Sequence, residues 1–80
     1  MQAGIVTIDL HGKTVDQAKI AIDCALARAK TGTYRLRLIH GYHGGTALKQ
    51  MIAAQYGCHT RVLRLDVPNP GSTDLVLREF

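Results

Sequence analysis

Four short segments of the chain alternate between apolar and polar side chains, and this alternation most constrains the fold. The segments are Ile5–Leu10, Tyr34–Ile39, Arg61–Val67 and Asp74–Arg78. Successive side chains of a strand point to opposite faces of a sheet, so alternation indicates strands with one buried face. A sheet covered on both faces would contain continuous apolar runs instead. The sequence therefore predicts a sheet with one covered and one open face.

Two stretches between these segments have helical periodicity. The first is Thr14–Lys30, which begins with a capping box formed by Thr14 and Gln17. Its apolar residues form one stripe at helical spacing: Val15, Ala18, Ile22, Ala25, Leu26 and Ala29. The second helix opens at Gly44–Gly45–Thr46 and runs to about Tyr56, and its inward residues are Leu48, Met51 and Ile52.

The order of these elements predicts an α/β (α+β) two-layer sandwich of the form βαβαββ. The two βα units indicate neighbouring parallel strands with right-handed crossovers. The turn over Pro68–Ser72 indicates that the last two strands form an antiparallel hairpin. We therefore expect a four-stranded mixed sheet with two helices on one face. The inward side chains of the later strands are expected to be Leu36, Leu38, Leu63, Leu65, Val67, Leu75 and Leu77.

The composition fits one small folded domain. The chain has 80 residues, of which 46% are apolar and 20% charged, and we expect a single domain over residues 1–80. No apolar run approaches the ~18 residues of a membrane helix. The sequence shows no signal peptide, so we expect a cytoplasmic protein without membrane contact. Cys24 and Cys58 match no zinc-binding spacing and are expected to be reduced thiols.

The positive charge indicates a polyanionic partner. Ten Lys and Arg against six Asp and Glu give a formal net charge of +4, which favours nucleic acid as the partner. The alternation assigns four arginines to the open face: Arg35, Arg37, Arg64 and Arg78. A solvated sheet face must be polar in any case, and the face could instead bind a protein or a second copy of the chain. We expect a monomer or a weak homodimer.

Polar side chains collect where the first two strands end, and ligands of open sheets bind beyond the carboxyl ends of parallel strands. The first strand ends in Asp9-Leu10-His11-Gly12-Lys13, and the second is followed by His40-Gly41-Tyr42-His43. We expect Asp9, His11 and His40 to converge as candidate catalytic residues. Asp9 could instead cap a turn. His40 has the parity of the core-facing residues and could be a buried, hydrogen-bonded histidine.

The loop after the second strand is rich in glycine and leads into a helix. Glycine lets a ligand approach the backbone closely, and the unpaired amides of a helix N-terminus favour an anion. Neither the Walker pattern nor GxGxxG is present, so the signal is weak when taken alone. Tyr42 could stack on a base or simply lie on the surface. The candidate phosphate- or nucleic-acid-binding residues are Gly12, Lys13, Gly41, Tyr42, His43, Gly44, Gly45, Thr46, Lys49, Arg35, Arg37 and Arg64.

Three segments resemble the signatures of a known family. Ile8–Gly12 resembles the L-D-L-H-G signature of the Smr (small MutS-related) domain. Ile39–Lys49 resembles the second signature of that family, His-Gly-x-Gly-x-Gly before a helix that begins Ala-Leu-Arg or Ala-Leu-Lys. Pro68–Gly71 resembles its Pro-Asn-x-Gly turn. The chain departs from the second signature at His43, which stands where the family has its middle glycine.

The resemblance implies a sandwich similar to the C-terminal domain of bacterial translation initiation factor three. It also implies binding of DNA or RNA, and several Smr domains show nicking or endoribonuclease activity. The acidic residue that the family implicates in cleavage is Asp9 here, and the loop implicated in substrate contact or cleavage is His40–Gly45. The departure at His43 leaves binding better supported than cleavage.

We therefore expect a nucleic-acid-binding Smr-like domain that acts as a nicking endonuclease on DNA or RNA. His11 or His40 would be the general base on a water or a ribose 2′-hydroxyl. Asp9 would orient that histidine or hold a divalent metal such as Mg²⁺ or Mn²⁺, and no other cofactor is expected. The alternative is a module that binds nucleic acid or the ribosome without cutting.

Overall fold

The computed structural model describes residues 4–29, 32–41 and 46–78. The elements in chain order are β1 (Ile5–Asp9), α1 (Val15–Arg28), β2 (Arg35–Ile39), α2 (Thr46–Tyr56), β3 (Arg64–Asn69) and β4 (Ser72–Val76). This order confirms the predicted βαβαββ arrangement. The bounds agree with the prediction to within two residues except at the start of β3, which begins three residues later.

The four strands form one mixed sheet in the order β1-β2-β4-β3. β1 and β2 are parallel, and β4 is antiparallel to both of its neighbours, β2 and β3. This confirms the parallel pair and the terminal hairpin. Because β4 lies between two strands, all five of its residues are buried.

Both helices pack on the same face of the sheet, which gives the two-layer sandwich. Leu36, Leu38 and Leu75 of the sheet are at most 1% exposed and form one core cluster with Ile22 of α1 and Ile52 of α2. Full burial of one such side chain contributes about 1.5–3 kcal/mol to stability. The alternation in β2 and β4 therefore predicted the covered face correctly.

The two ends of α1 are capped in different ways. At its start, Thr14 Oγ1 accepts the Gln17 amide at 3.1 Å, and Gln17 Oε1 accepts the Thr14 amide at 3.0 Å, which confirms the predicted capping box. At its end, the Arg61 guanidinium donates to the carbonyls of Leu26 and Ala29. The Leu26 carbonyl also accepts the Ala29 amide at 3.2 Å, and a cation at this end interacts favourably with the negative end of the helix dipole.

The predicted inward face of β3 is wrong at Leu63 and Val67. Leu63 is 61% exposed and Val67 51% exposed, whereas Val62 is buried. The strand begins only at Arg64, because the preceding residues form a turn in which the Val62 amide donates to the His59 carbonyl at 3.0 Å. A register irregularity between Asp66 and Asn69 then breaks the alternation near Val67.

The opposite side of the sheet, which we call the open face, carries a buried carboxylate. Asp74 in β4 is fully buried. It accepts from Arg35 Nη1 at 2.8 Å and from Arg37 Nε and Nη2 at 3.1 and 3.0 Å, and Arg35 also donates to Asp66 at 2.9 Å. A buried carboxylate is tolerated only when it is paired in this way. The hydrogen bonds to Asp74 raise the pKa of both arginines, so both stay charged.

We expect Asp74→Ala to lower the free energy of unfolding by roughly 2–3 kcal/mol, because it leaves two guanidinium groups without their buried partner. Removal of one partner from a fully buried ion pair costs about 3–5 kcal/mol. We expect a smaller loss here because both arginines remain partly exposed. Urea unfolding followed by circular dichroism measures it. Asp16→Ala, at an exposed aspartate in the first turn of α1, should cost less than about 1 kcal/mol. Equal losses in the two variants would contradict the structural role of Asp74.

Candidate nucleic-acid site

The ends of β1 and β2 lie side by side, as parallel pairing requires. Asp9 is in register with Ile39, and the Leu10 amide donates to the Ile39 carbonyl at 2.8 Å. Beyond β2, the amides of His40 and Gly41 both donate to the Gly71 carbonyl at 3.0 Å. The residues that follow the first two strands therefore share one edge of the sheet.

A tight turn after β1 brings His11 back to Asp9. Gly12 has a φ of +78°, a conformation that side chains other than glycine rarely adopt, and the Lys13 amide donates to the Leu10 carbonyl at 3.0 Å. Asp9 Oδ1 accepts the His11 amide at 3.1 Å and lies 2.9 Å from His11 Nδ1. The two side chains are 62% and 72% exposed, so the Asp9–His11 pair is open to a ligand.

The Asp9–His11 pair has a defined polarity. The hydrogen bond from the His11 ring is the largest effect that lowers the pKa of Asp9, and the His11 amide and the charge of Lys13 lower it further. Asp9 is therefore an anion that can only accept, so the proton of this contact lies on His11 Nδ1. In the neutral ring, Nε2 then carries a lone pair and can accept a proton from a ligand.

His40 does not join this pair. Its side chain is buried, with Nδ1 3.1 Å from the Gly41 carbonyl oxygen and Nε2 3.0 Å from Thr73 Oγ1. Thr73 is in register with Leu38, which faces the helices, whereas Asp9 points to the open face. The expected convergence of His40 with Asp9 and His11 is therefore not present. The structure instead favours the alternative of a buried, hydrogen-bonded histidine.

Much of the predicted glycine-rich loop lies outside the described residues. These are Tyr42, His43, Gly44 and Gly45, and their proposed role in binding phosphate stays a prediction. Gly41, the last described residue before the loop, has a φ of +88°. Thr46 begins α2, and Lys49 follows one turn later with an exposed side chain.

Three of the four arginines predicted for the open face lie in its strands and face carboxylates, whereas Arg78 follows the end of β4. Arg35 binds both Asp74 and Asp66, and Arg37 binds Asp74. Arg64 Nη1 lies 4.0 Å from Asp66 Oδ2. Three arginines and two aspartates leave a net charge of only +1 in this cluster. Sequence reasoning placed Asp74 on this face but missed its pairing, which follows from its register opposite Arg37. Thr73, as the partner of His40, was also missed.

The donor set for a metal is small. Among the described residues, no group of three or more His, Cys, Asp or Glu side chains could hold a metal ion. The Asp9–His11 pair supplies only two side chains. Cys24 and Cys58 are free and exposed.

Both the sequence and the fold of the chain are similar to those of known proteins. A family model, the Smr domain, matches residues 8–73. The crystal structure of the Smr domain of Thermus thermophilus MutS2 is 35% identical, covers 92% of this chain and 99% of its own chain, and superposes with a TM-score of 0.80. No curated protein matches the chain. In the described part of the chain, neither helix has the length and apolar character needed to cross a membrane.

We expect His11→Ala to raise the pKa of Asp9 towards its ordinary value of about 3.9, because the ring contact is the largest effect lowering it. A lowered pKa favours the anion in the fold. The contribution of Asp9 to stability is therefore complete above the ordinary pKa and is lost as the pH falls through the lowered one. Removal of His11 brings the folded-state pKa of Asp9 closer to the ordinary one, so this contribution becomes smaller.

A pH titration of the Asp9 carboxyl carbon by ¹³C NMR measures this pKa directly. Lys13→Ala is the matched control and should move the pKa less, since the charge of Lys13 is the smallest of the effects on Asp9. A His11→Ala titration curve that coincides with the wild-type curve would show that the ring contact is absent in solution.

Proposed function

The chain belongs to the Smr domain family, a family of nucleic-acid-binding domains, and we propose that it is an endonuclease that cleaves phosphodiester bonds. The observation that carries the proposal is the exposed Asp9–His11 pair at the end of β1. A carboxylate that orients an imidazole, whose second nitrogen faces solvent, is an arrangement suited to general base catalysis.

His11 Nε2 would accept the proton of the attacking oxygen, which belongs to a water or to a ribose 2′-hydroxyl. That oxygen forms a bond to phosphorus, the bond from phosphorus to the leaving oxygen breaks, and the leaving oxygen takes up a proton from water. Asp9 holds the ring by its Nδ1–H and stabilises the imidazolium that forms. Because Asp9 Oδ1 already accepts two hydrogen bonds from His11, we favour orientation over metal binding as its role.

Positive charge at the same edge of the sheet would hold the phosphate. Lys13 is exposed two residues after His11, and Lys49 is exposed in the first turn of α2. The loop that leads into α2 would add backbone amides, as its sequence predicts. The net charge of +4 supports binding whose strength falls with rising salt.

Binding without cleavage is the second candidate, and one observation favours it. Both ring nitrogens of His40 are engaged within the fold, so among the described residues His11 is the single histidine with an exposed ring at this edge. Cleavage needs a proton donor for the leaving oxygen as well as a base. A domain that lacks the donor would bind the strand and leave it intact.

We expect His11→Ala and Asp9→Ala each to lower the cleavage rate by about 10²–10⁴-fold, the usual contribution of general base catalysis, with little change in binding. The assay uses matched single- and double-stranded DNA and RNA, with and without Mg²⁺ or Mn²⁺. His59→Ala is the control, since His59 lies in the loop after α2 rather than beside Asp9.

The outcomes separate the two candidates. Wild-type cleavage by both variants would show that the Asp9–His11 pair has no catalytic role. Salt-dependent binding by the wild type with no cleavage of any substrate would establish the binding module instead. Cleavage that needs a divalent ion, is lost in Asp9→Ala and persists in His11→Ala would assign Asp9 to the metal.

A further inference from the structure

The hydroxyl of Ser72 is buried without a hydrogen-bond partner in the part of the chain that the structure describes. The residue is 3% exposed, and its Oγ is the buried side-chain atom that remains unsatisfied. Native structures rarely leave a buried hydroxyl unpaired, because it has lost its water without gaining a protein partner. The next residue, Thr73, is buried to the same degree, and its hydroxyl is bonded to His40.

Ser72 lies on the open face, in the same row of the sheet as Asp9. The register pairs Asp9 with Ile39, Ile39 with Ser72, and Ser72 with Asn69. Thr73 faces the helices, so its neighbour Ser72 faces the other way. At one strand spacing for each step, the backbones of Asp9 and Ser72 are about 10 Å apart, with the half-buried side chain of Ile39 between them.

We propose that Ser72 is a phosphate-binding residue: its hydroxyl donates a hydrogen bond to a backbone phosphate of the strand that is bound at the Asp9–His11 pair. The proposal rests on nucleic-acid binding at this edge, as in the proposed function, but not on cleavage. The strand would follow this row of the sheet, and the sugar that links the two phosphates would lie over Ile39. Because Ser72 is 3% exposed, contact requires a change of its χ1 rotamer together with a local shift of the groups that cover it.

A phosphate contact made by a neutral hydroxyl has a distinct signature. It adds affinity but releases no counterion, so it leaves the salt dependence of binding unchanged. Loss of a lysine contact lowers both the affinity and the slope of log K against log salt, by about one for each phosphate contact. Loss of a structural hydroxyl lowers the stability of the fold.

The experiment measures binding of a short fluorescent single-stranded DNA and its RNA counterpart by anisotropy at several salt concentrations. All proteins carry Asp9→Ala, so that cleavage does not disturb the measurement. We expect Ser72→Ala to weaken binding about tenfold with an unchanged salt slope. Its unfolding midpoint should equal or exceed that of the parent, because the variant removes an unpaired buried group.

Two variants provide matched controls. Thr73→Ala removes the neighbouring hydroxyl that has a partner in the core, and it should lower the unfolding midpoint. Lys13→Ala should weaken binding with a smaller salt slope. Unchanged affinity in Ser72→Ala, or weaker binding that accompanies a loss of stability, would overturn the proposal. If the Asp9→Ala parent binds neither the DNA nor the RNA, this proposal and nucleic-acid binding at this edge are both wrong. If the wild-type protein binds the nucleic acid without cutting it, only the proposed nuclease activity is wrong.

Discussion

The buried carboxylate of Asp74 is the constraint on which the open side of the molecule depends. A two-layer sandwich covers one face of its sheet with helices and leaves the other to side chains. Here the centre of that second face is closed by Arg35 and Arg37, which lie over Asp74 and are held there by hydrogen bonds. The same pairing uses much of the charge that would otherwise face a polyanion. The open face is therefore first a stabilising surface.

The parallel register of β1 and β2 has the complementary effect at the edge of the sheet. It aligns Asp9 with Ile39, so the turn at Gly12 after β1 lies at the same edge of the sheet as Gly41, in the segment that follows β2. The Asp9–His11 pair is thus held by a rigid strand and a short turn, while the ring remains exposed. Rigid backbone with an accessible imidazole is what general base catalysis requires of a protein.

Local patterns predicted most of the fold from the sequence, and long-range contacts account for what they missed. The capping box at Thr14 and the alternation in β2 depend on neighbours a few residues apart, and both are confirmed. Leu63 was expected to be buried but is exposed, because the preceding turn delays the start of β3. The pairing of Asp74 with Arg37 needs the strand order, which alternation alone does not give. For His40, parity indicated a core position, whereas its place directly after the second strand suggested the site.

Arg61 joins parts of the chain that are distant in sequence. Its guanidinium closes the last turn of α1 from the loop that follows α2, so the carbonyls of Leu26 and Ala29 find a side-chain partner only once that loop has docked. These contacts couple the end of the first helix to the entry of the third strand, so we expect the two segments to open together as one cooperative unit. The C-terminal end of α1 is therefore stabilised against fraying by Arg61, which lies more than thirty residues later in the chain.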